Sequence, residues 1–135
     1  MTSTMRHLIV VLIAVLSLLV IEVELGTDEM RRIMQECLNQ ANIRSQDQLD
    51  FLKKKSMPVT TEGKCFLGCL MEGYGYLIDG EFTEDSCEEW ATRQGQSHEA
   101  AADLFQSCHS TVGDGDDRCE TGPLLWKCLL KLDNN

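Results

Sequence analysis

The sequence predicts an all-α domain of six helices stapled by three disulfides, and three observations carry that prediction. Apolar residues recur at helical spacing along most of the chain, no segment alternates convincingly like a strand, and seven cysteines all follow an apolar N-terminal run.

That run comes first. Arg6 and His7 give a short basic start, and the 14 residues from Leu8 to Ile21 are then apolar except for Ser17. A bilayer span needs about 20 residues, so the run matches the apolar region of a secretory signal better than a membrane helix. Residues 1–26 are predicted to be a signal peptide of approximate end, and residues 27–135 one helical domain. The expected product is extracellular, with no stable membrane insertion. Without Arg6, Glu22 and Glu24, the 12 basic and 22 acidic residues fall to 11 and 20, a net charge of −9. Phosphate backbones and anionic lipid surfaces repel such a chain, which excludes a nucleic-acid partner.

A domain this small buries a modest core, and small secreted domains compensate with disulfides. Cys37, Cys65, Cys69, Cys87, Cys108, Cys119 and Cys128 are an odd number, so one thiol is left free or pairs between chains.

The helices follow in order. Met30, Ile33, Met34, Cys37, Leu38 and Ala41 form one stripe at i, i+3, i+4, i+7, i+8 and i+11, with Thr27 as candidate N-cap. A second helix is expected from about Ser45 to Lys55, with Leu49 and Leu52 inward, the lysine run Lys53–Lys55 at its solvated C-terminus, and Pro58 breaking the chain beyond it. In the third, Thr61–Gly73, the residues Cys65, Phe66, Leu67, Cys69, Leu70 and Met71 cover almost the whole circumference, so burial on most sides is predicted. Gly73 or Gly75 ends it, and Ile78-Asp79-Gly80 makes a turn. Thr83 opens a fourth helix through about Gln94, with Glu84 and Asp85 in its first turn. The fifth, about Ser97–Ser110, carries Ala101, Leu104, Phe105 and Cys108 inward. After a loop at 113–117, the sixth is expected to begin at Pro123, where a missing N–H is harmless. It carries Leu124, Leu125, Trp126, Leu129, Leu130 and Leu132.

Cys65 and Cys69 lie one turn apart on one helix face, so each ties that helix to a different neighbour. Six cysteines allow fifteen pairings, and spacing alone does not choose among them. With Cys87 set aside, the order reads Cys37-x27-Cys65-x3-Cys69-x38-Cys108-x10-Cys119-x8-Cys128. This pattern, with the segment Lys64-Cys65-Phe66-Leu67-Gly68-Cys69-Leu70, resembles the six-cysteine insect odorant-binding proteins, the general-odorant and pheromone-binding family, over essentially the whole mature chain. The resemblance implies six helices around an internal apolar cavity and bridges Cys37–Cys69, Cys65–Cys119 and Cys108–Cys128. Cys87 departs from the family pattern and is expected to be a buried or half-buried free thiol in the fourth helix.

Catalysis needs a nucleophile with a base, paired carboxylates or a metal, and none of these has a signature here. The chain lacks the His-Asp pair and adjacent cysteines of a secreted calcium-dependent lipase. C-x3-C and histidines eleven apart do not make a zinc site. In the acidic loop Arg118 stands where an EF-hand needs a ligand, so neither a metal nor a cofactor is expected.

The surplus of apolar helix surface points to binding instead. Periodicity does not separate a filled core from a hollow one; the resemblance implies a hollow one, of the scale of small-molecule sites. Candidate lining residues are Met30, Met34, Phe66, Leu70, Leu104, Phe105, Leu125 and Leu129, with Tyr74 and Tyr76 offering hydroxyls to a ligand oxygen. His98 and His109 are the candidates for any pH response. The expected function is a secreted carrier of small apolar molecules such as odorants or pheromones, a monomer or weak homodimer, with a membrane receptor as further candidate partner. The alternatives are a carrier of the same fold outside olfaction, as a ligand scavenger or a seminal or venom component, and a filled-core interaction protein.

Overall fold

The computed structural model describes residues 28–134. The predicted signal peptide and the predicted N-cap Thr27 lie outside the described residues. Among the described residues there are six α-helices: α1 (Asp28–Gln40), α2 (Asp50–Lys53, entered through a 3-10 turn over Gln46–Leu49), α3 (Thr61–Gly73), α4 (Glu84–Gln94), α5 (His98–Val112) and α6 (Arg118–Asp133). Among the described residues the only β feature is an isolated bridge between Ile78 and Glu81, closing the turn expected at 78–80.

Four of the starts have a local cause. A side-chain oxygen accepts a backbone N–H at Thr60 (from Gly63), Thr83 (from Ser86), Ser97 (from Ala100) and Asp117 (from Cys119). These are donors a helix start otherwise leaves unsatisfied. The end of α3 also follows from chain chemistry. Gly75 takes φ +90°, and any side chain there would press on the backbone of Trp90.

One boundary differs from expectation. Pro123 does not open the last helix but lies inside α6, which begins at Arg118. The start is set by the Asp117 cap, by the Cys65–Cys119 bridge, and by Thr121, whose hydroxyl donates to the Gly80 carbonyl at 2.6 Å. These contacts hold the first turn helical, so the proline falls where its ring opposes the preceding turn.

Helices α3 and α6 form the most extensive contact, flanked by α5 and α1, with α4 packed on α5. Three disulfides join them: Cys37–Cys69 (α1–α3), Cys65–Cys119 (α3–α6) and Cys108–Cys128 (α5–α6), the same pairs the resemblance implies. Arg118 adds a polar clasp, donating to Glu72 of α3 at 2.6 Å and to Gln40 of α1 at 2.8 Å. Around α3 the buried side chains form one apolar cluster contributed by all six helices. Ser86, Thr121 and Asp133 are its buried polar members, and Asp133 pairs with Lys55 at 3.1 Å.

Candidate ligand-binding site

Helix α3 supplies the centre of the interior. Phe66 and Leu70, one turn apart, are both buried, as is Met34 of α1 opposite them. Leu104 of α5 and Leu125 and Leu129 of α6 belong to the same cluster and have essentially no exposure. Tyr74 and Tyr76, at the exit of α3, are buried as well. Met30 is half-buried against the cluster's edge.

Phe105 stands apart from this group. Its ring stacks between Phe82 (centroids 5.8 Å apart) and His109 (4.6 Å). The three line an open recess of about 430 Å³ with Thr83, Glu84, Asp85 and Asp114. A second recess, of about 190 Å³, lies between α1 and α2 and is lined by Leu38, Ile43, Leu49, Arg44, Ser45, Gln46 and Lys53. Of the ten predicted lining residues only Phe105 borders either recess. Eight of the others are packed inside the core and Met30 at its margin.

The polar content of this interior is unusual. Tyr74 Oη, Tyr76 Oη and Trp90 Nε1 are all buried without a hydrogen-bond partner. The rings of Tyr76 and Trp90 stack at 5.5 Å with an interplanar angle of 20°. Their polar atoms are near enough for the indole to influence the phenol's acidity, yet not aligned as a hydrogen bond. Burial pushes Tyr74 up to about 12 and Tyr76 higher still. Cys87, one turn before Trp90 on α4, is the free thiol; it is buried, and desolvation pushes it up to about 12. Such a thiol stays protonated and inert at neutral pH. By contrast the other indole, Trp126, donates to the Ser56 carbonyl at 2.8 Å.

Trp90 is the member of this group that sequence reading missed. Its signal was the spacing of Cys87, Trp90 and Ala91 at i, i+3 and i+4, masked by the charge of the rest of α4. The two histidines lie outside the core. His98 meets Glu88 at 2.6 Å, an exposed pair that raises its pKa, and His109 meets Asp114 at 3.1 Å. Among the described residues no three His, Cys, Asp or Glu side chains are grouped to hold a metal ion, and no helix is long and apolar enough to cross a membrane.

The family model described as the PBP/GOBP family matches residues 23–132. The chain belongs to the PBP/GOBP family. Among solved structures, this PBP/GOBP chain is similar to the odorant-binding protein dmelOBP28a from Drosophila melanogaster. The TM-score is 0.58 at 20% identity, covering 81% of this chain and 93% of that one. At that identity the likeness shows a shared fold. No curated protein sequence matches the chain.

Proposed function

We propose that the protein is a secreted, non-enzymatic carrier that takes one small apolar molecule, an odorant, pheromone or similar compound, into the interior enclosed by α1, α3, α4, α5 and α6. Met34, Phe66, Leu70, Leu104, Leu125 and Leu129 form the apolar wall, with Met30 at its margin. Family membership supports this reading, and one observation carries it: three polar groups, Tyr74 Oη, Tyr76 Oη and Trp90 Nε1, are enclosed in an apolar interior with no protein partner. A buried polar group left unpaired costs about 1–3 kcal/mol, so its retention calls for a compensating role. A ligand oxygen supplies one. Methionine at the wall suits varied ligand shapes, because its thioether chain is unbranched and adaptable.

Phe105 plays a different part in this reading, as a surface ring beside His109 and not a wall of the interior. Leu129–Asp133 continue α6.

The test is titration of the oxidised protein with N-phenyl-1-naphthylamine. Saturable one-to-one uptake, reversed by volatile ligands, is expected. A protein with three disulfides and a helical spectrum that takes up no dye has a filled core and is not a carrier.

A further inference from the structure

The buried polar groups at the junction of α3 and α4 define the chemistry of the molecule they receive. Trp90 Nε1 only donates, and the Tyr76 phenol is stacked beside it and feels the indole. Tyr74 and Tyr76 can each donate one O–H, and neither finds an acceptor in the protein. The cluster therefore holds up to three N–H and O–H donors, with no acceptor among them but the two phenol oxygens.

The charge around the cluster narrows the ligand further. The buried polar or charged residues of the described core are Ser86, Thr121 and Asp133, so no lysine or arginine is buried there. Arg93, whose Cδ lies near Gly75, has its guanidinium taken up at the surface by the Gly73 carbonyl at 2.6 Å and by Glu89 at 2.9 Å. Arg44 and Lys53 line the separate surface recess. An ionised carboxylate entering the interior would lose its hydration without gaining a counter-charge. An ammonium ion would likewise lose its hydration without a counter-charge, with only the two phenol oxygens to accept from it. A hydrocarbon would enter but bring no acceptor for the enclosed O–H groups.

Resting on the carrier reading above, we infer that Tyr74, Tyr76 and Trp90 form a neutral acceptor-recognition site, selecting apolar ligands that carry a carbonyl oxygen, namely ketones, aldehydes or esters. The oxygen has two lone pairs and no hydrogen, so it accepts from two of the donors at once and brings no donor of its own to be satisfied. Cys87 beside the site is held as a protonated thiol and stays out of the chemistry.

The experiment compares three ligands of equal chain length, a methyl ketone, the corresponding alkane and the corresponding carboxylate. Each displaces N-phenyl-1-naphthylamine from the oxidised protein purified after expression of the full chain, and from its Tyr74→Phe and Tyr76→Phe variants. For the wild type we expect the ketone to bind about tenfold tighter than the alkane, with the carboxylate weakest at neutral pH. The phenylalanine variant whose hydroxyl contacts the ligand loses about fivefold for the ketone and keeps its alkane affinity. The same variant also melts at a higher temperature than wild type without ligand, because an unpaired hydroxyl has left the core. A hydroxyl with a structural role would give the opposite sign. Dye uptake with equal ketone and alkane affinities in all three proteins overturns the acceptor site and leaves the carrier. Absence of dye uptake by the wild type overturns both.

Discussion

Gly68 of α3 and Gly122 of α6 meet backbone to backbone. A Cβ placed on Gly122 would lie 2.6 Å from the Cα of Gly68 and 2.7 Å from its nitrogen. One turn before each glycine or nearly so, Cys65 and Cys119 are bridged, with their Cα atoms 4.1 Å apart. The two central helices are thus joined by a covalent link beside a contact only glycine permits. That crossing sets the spacing of the apolar wall on either side.

Gly122→Ala tests the crossing. The obstructing atoms are backbone and cannot rotate away, so α6 must shift. We expect destabilisation of about 3 kcal/mol, the upper end for overpacked cores, read as a lowered urea midpoint. A change within about 0.5 kcal/mol would show that the helices separate freely.

The bridges should rank by the loops they close. In the chain-entropy model, removing Cys108–Cys128 (separation 20) costs about 3 kcal/mol, and removing Cys65–Cys119 (separation 54) costs about 4. Paired Cys→Ser variants in urea denaturation check the order. A reversed order would mean that local contacts outweigh loop closure.

Cys87 and Tyr74 predict an alkaline weakness. Burial raises both pKa values to about 12, from ordinary values of 9.0 and 10.0. Between those limits the unfolded chain has released protons that the folded chain retains. Stability is therefore full below about pH 9 and falls as pH rises towards about 12. Cys87→Ala should remove the first part of that fall. The thiol itself should react with Ellman's reagent once per chain, and only after unfolding.

His98 should titrate above its ordinary value, because Glu88 accepts from it and attracts its charged form. The contribution to stability is present below the unfolded pKa and lost as pH rises through the folded one. Proton NMR of the imidazole checks this, and Glu88→Gln should return the titration to the ordinary value.

Much of this architecture is legible in the chain. The stripes of α1 and α3, the Thr83 start of α4 and the turn at Gly80 are local signals, and periodicity reads local signals well. The start of α6 is not local. It depends on Asp117, on Cys119 meeting Cys65, and on Gly122 meeting Gly68, so Pro123 was a misleading marker. Trp90 was hidden because α4 is charged on its other faces, while Phe105 sits at the edge of its stripe and turns to Phe82 and His109. The unpaired state of the Tyr74 and Tyr76 hydroxyls is a property of three-dimensional enclosure, and no spacing encodes it.

The two tryptophans offer the most direct test of a ligand within the core. Trp126 Nε1 is already bonded to Ser56, whereas Trp90 Nε1 is enclosed and unpaired. The measurement is a titration of the ¹⁵N-labelled oxidised protein with a medium-chain methyl ketone, following the two indole N–H resonances. We expect the Trp90 resonance to move downfield and saturate at one equivalent while that of Trp126 stays nearly still. If neither indole responds while the ligand is shown to bind, the ligand sits elsewhere and the interior is a filled core.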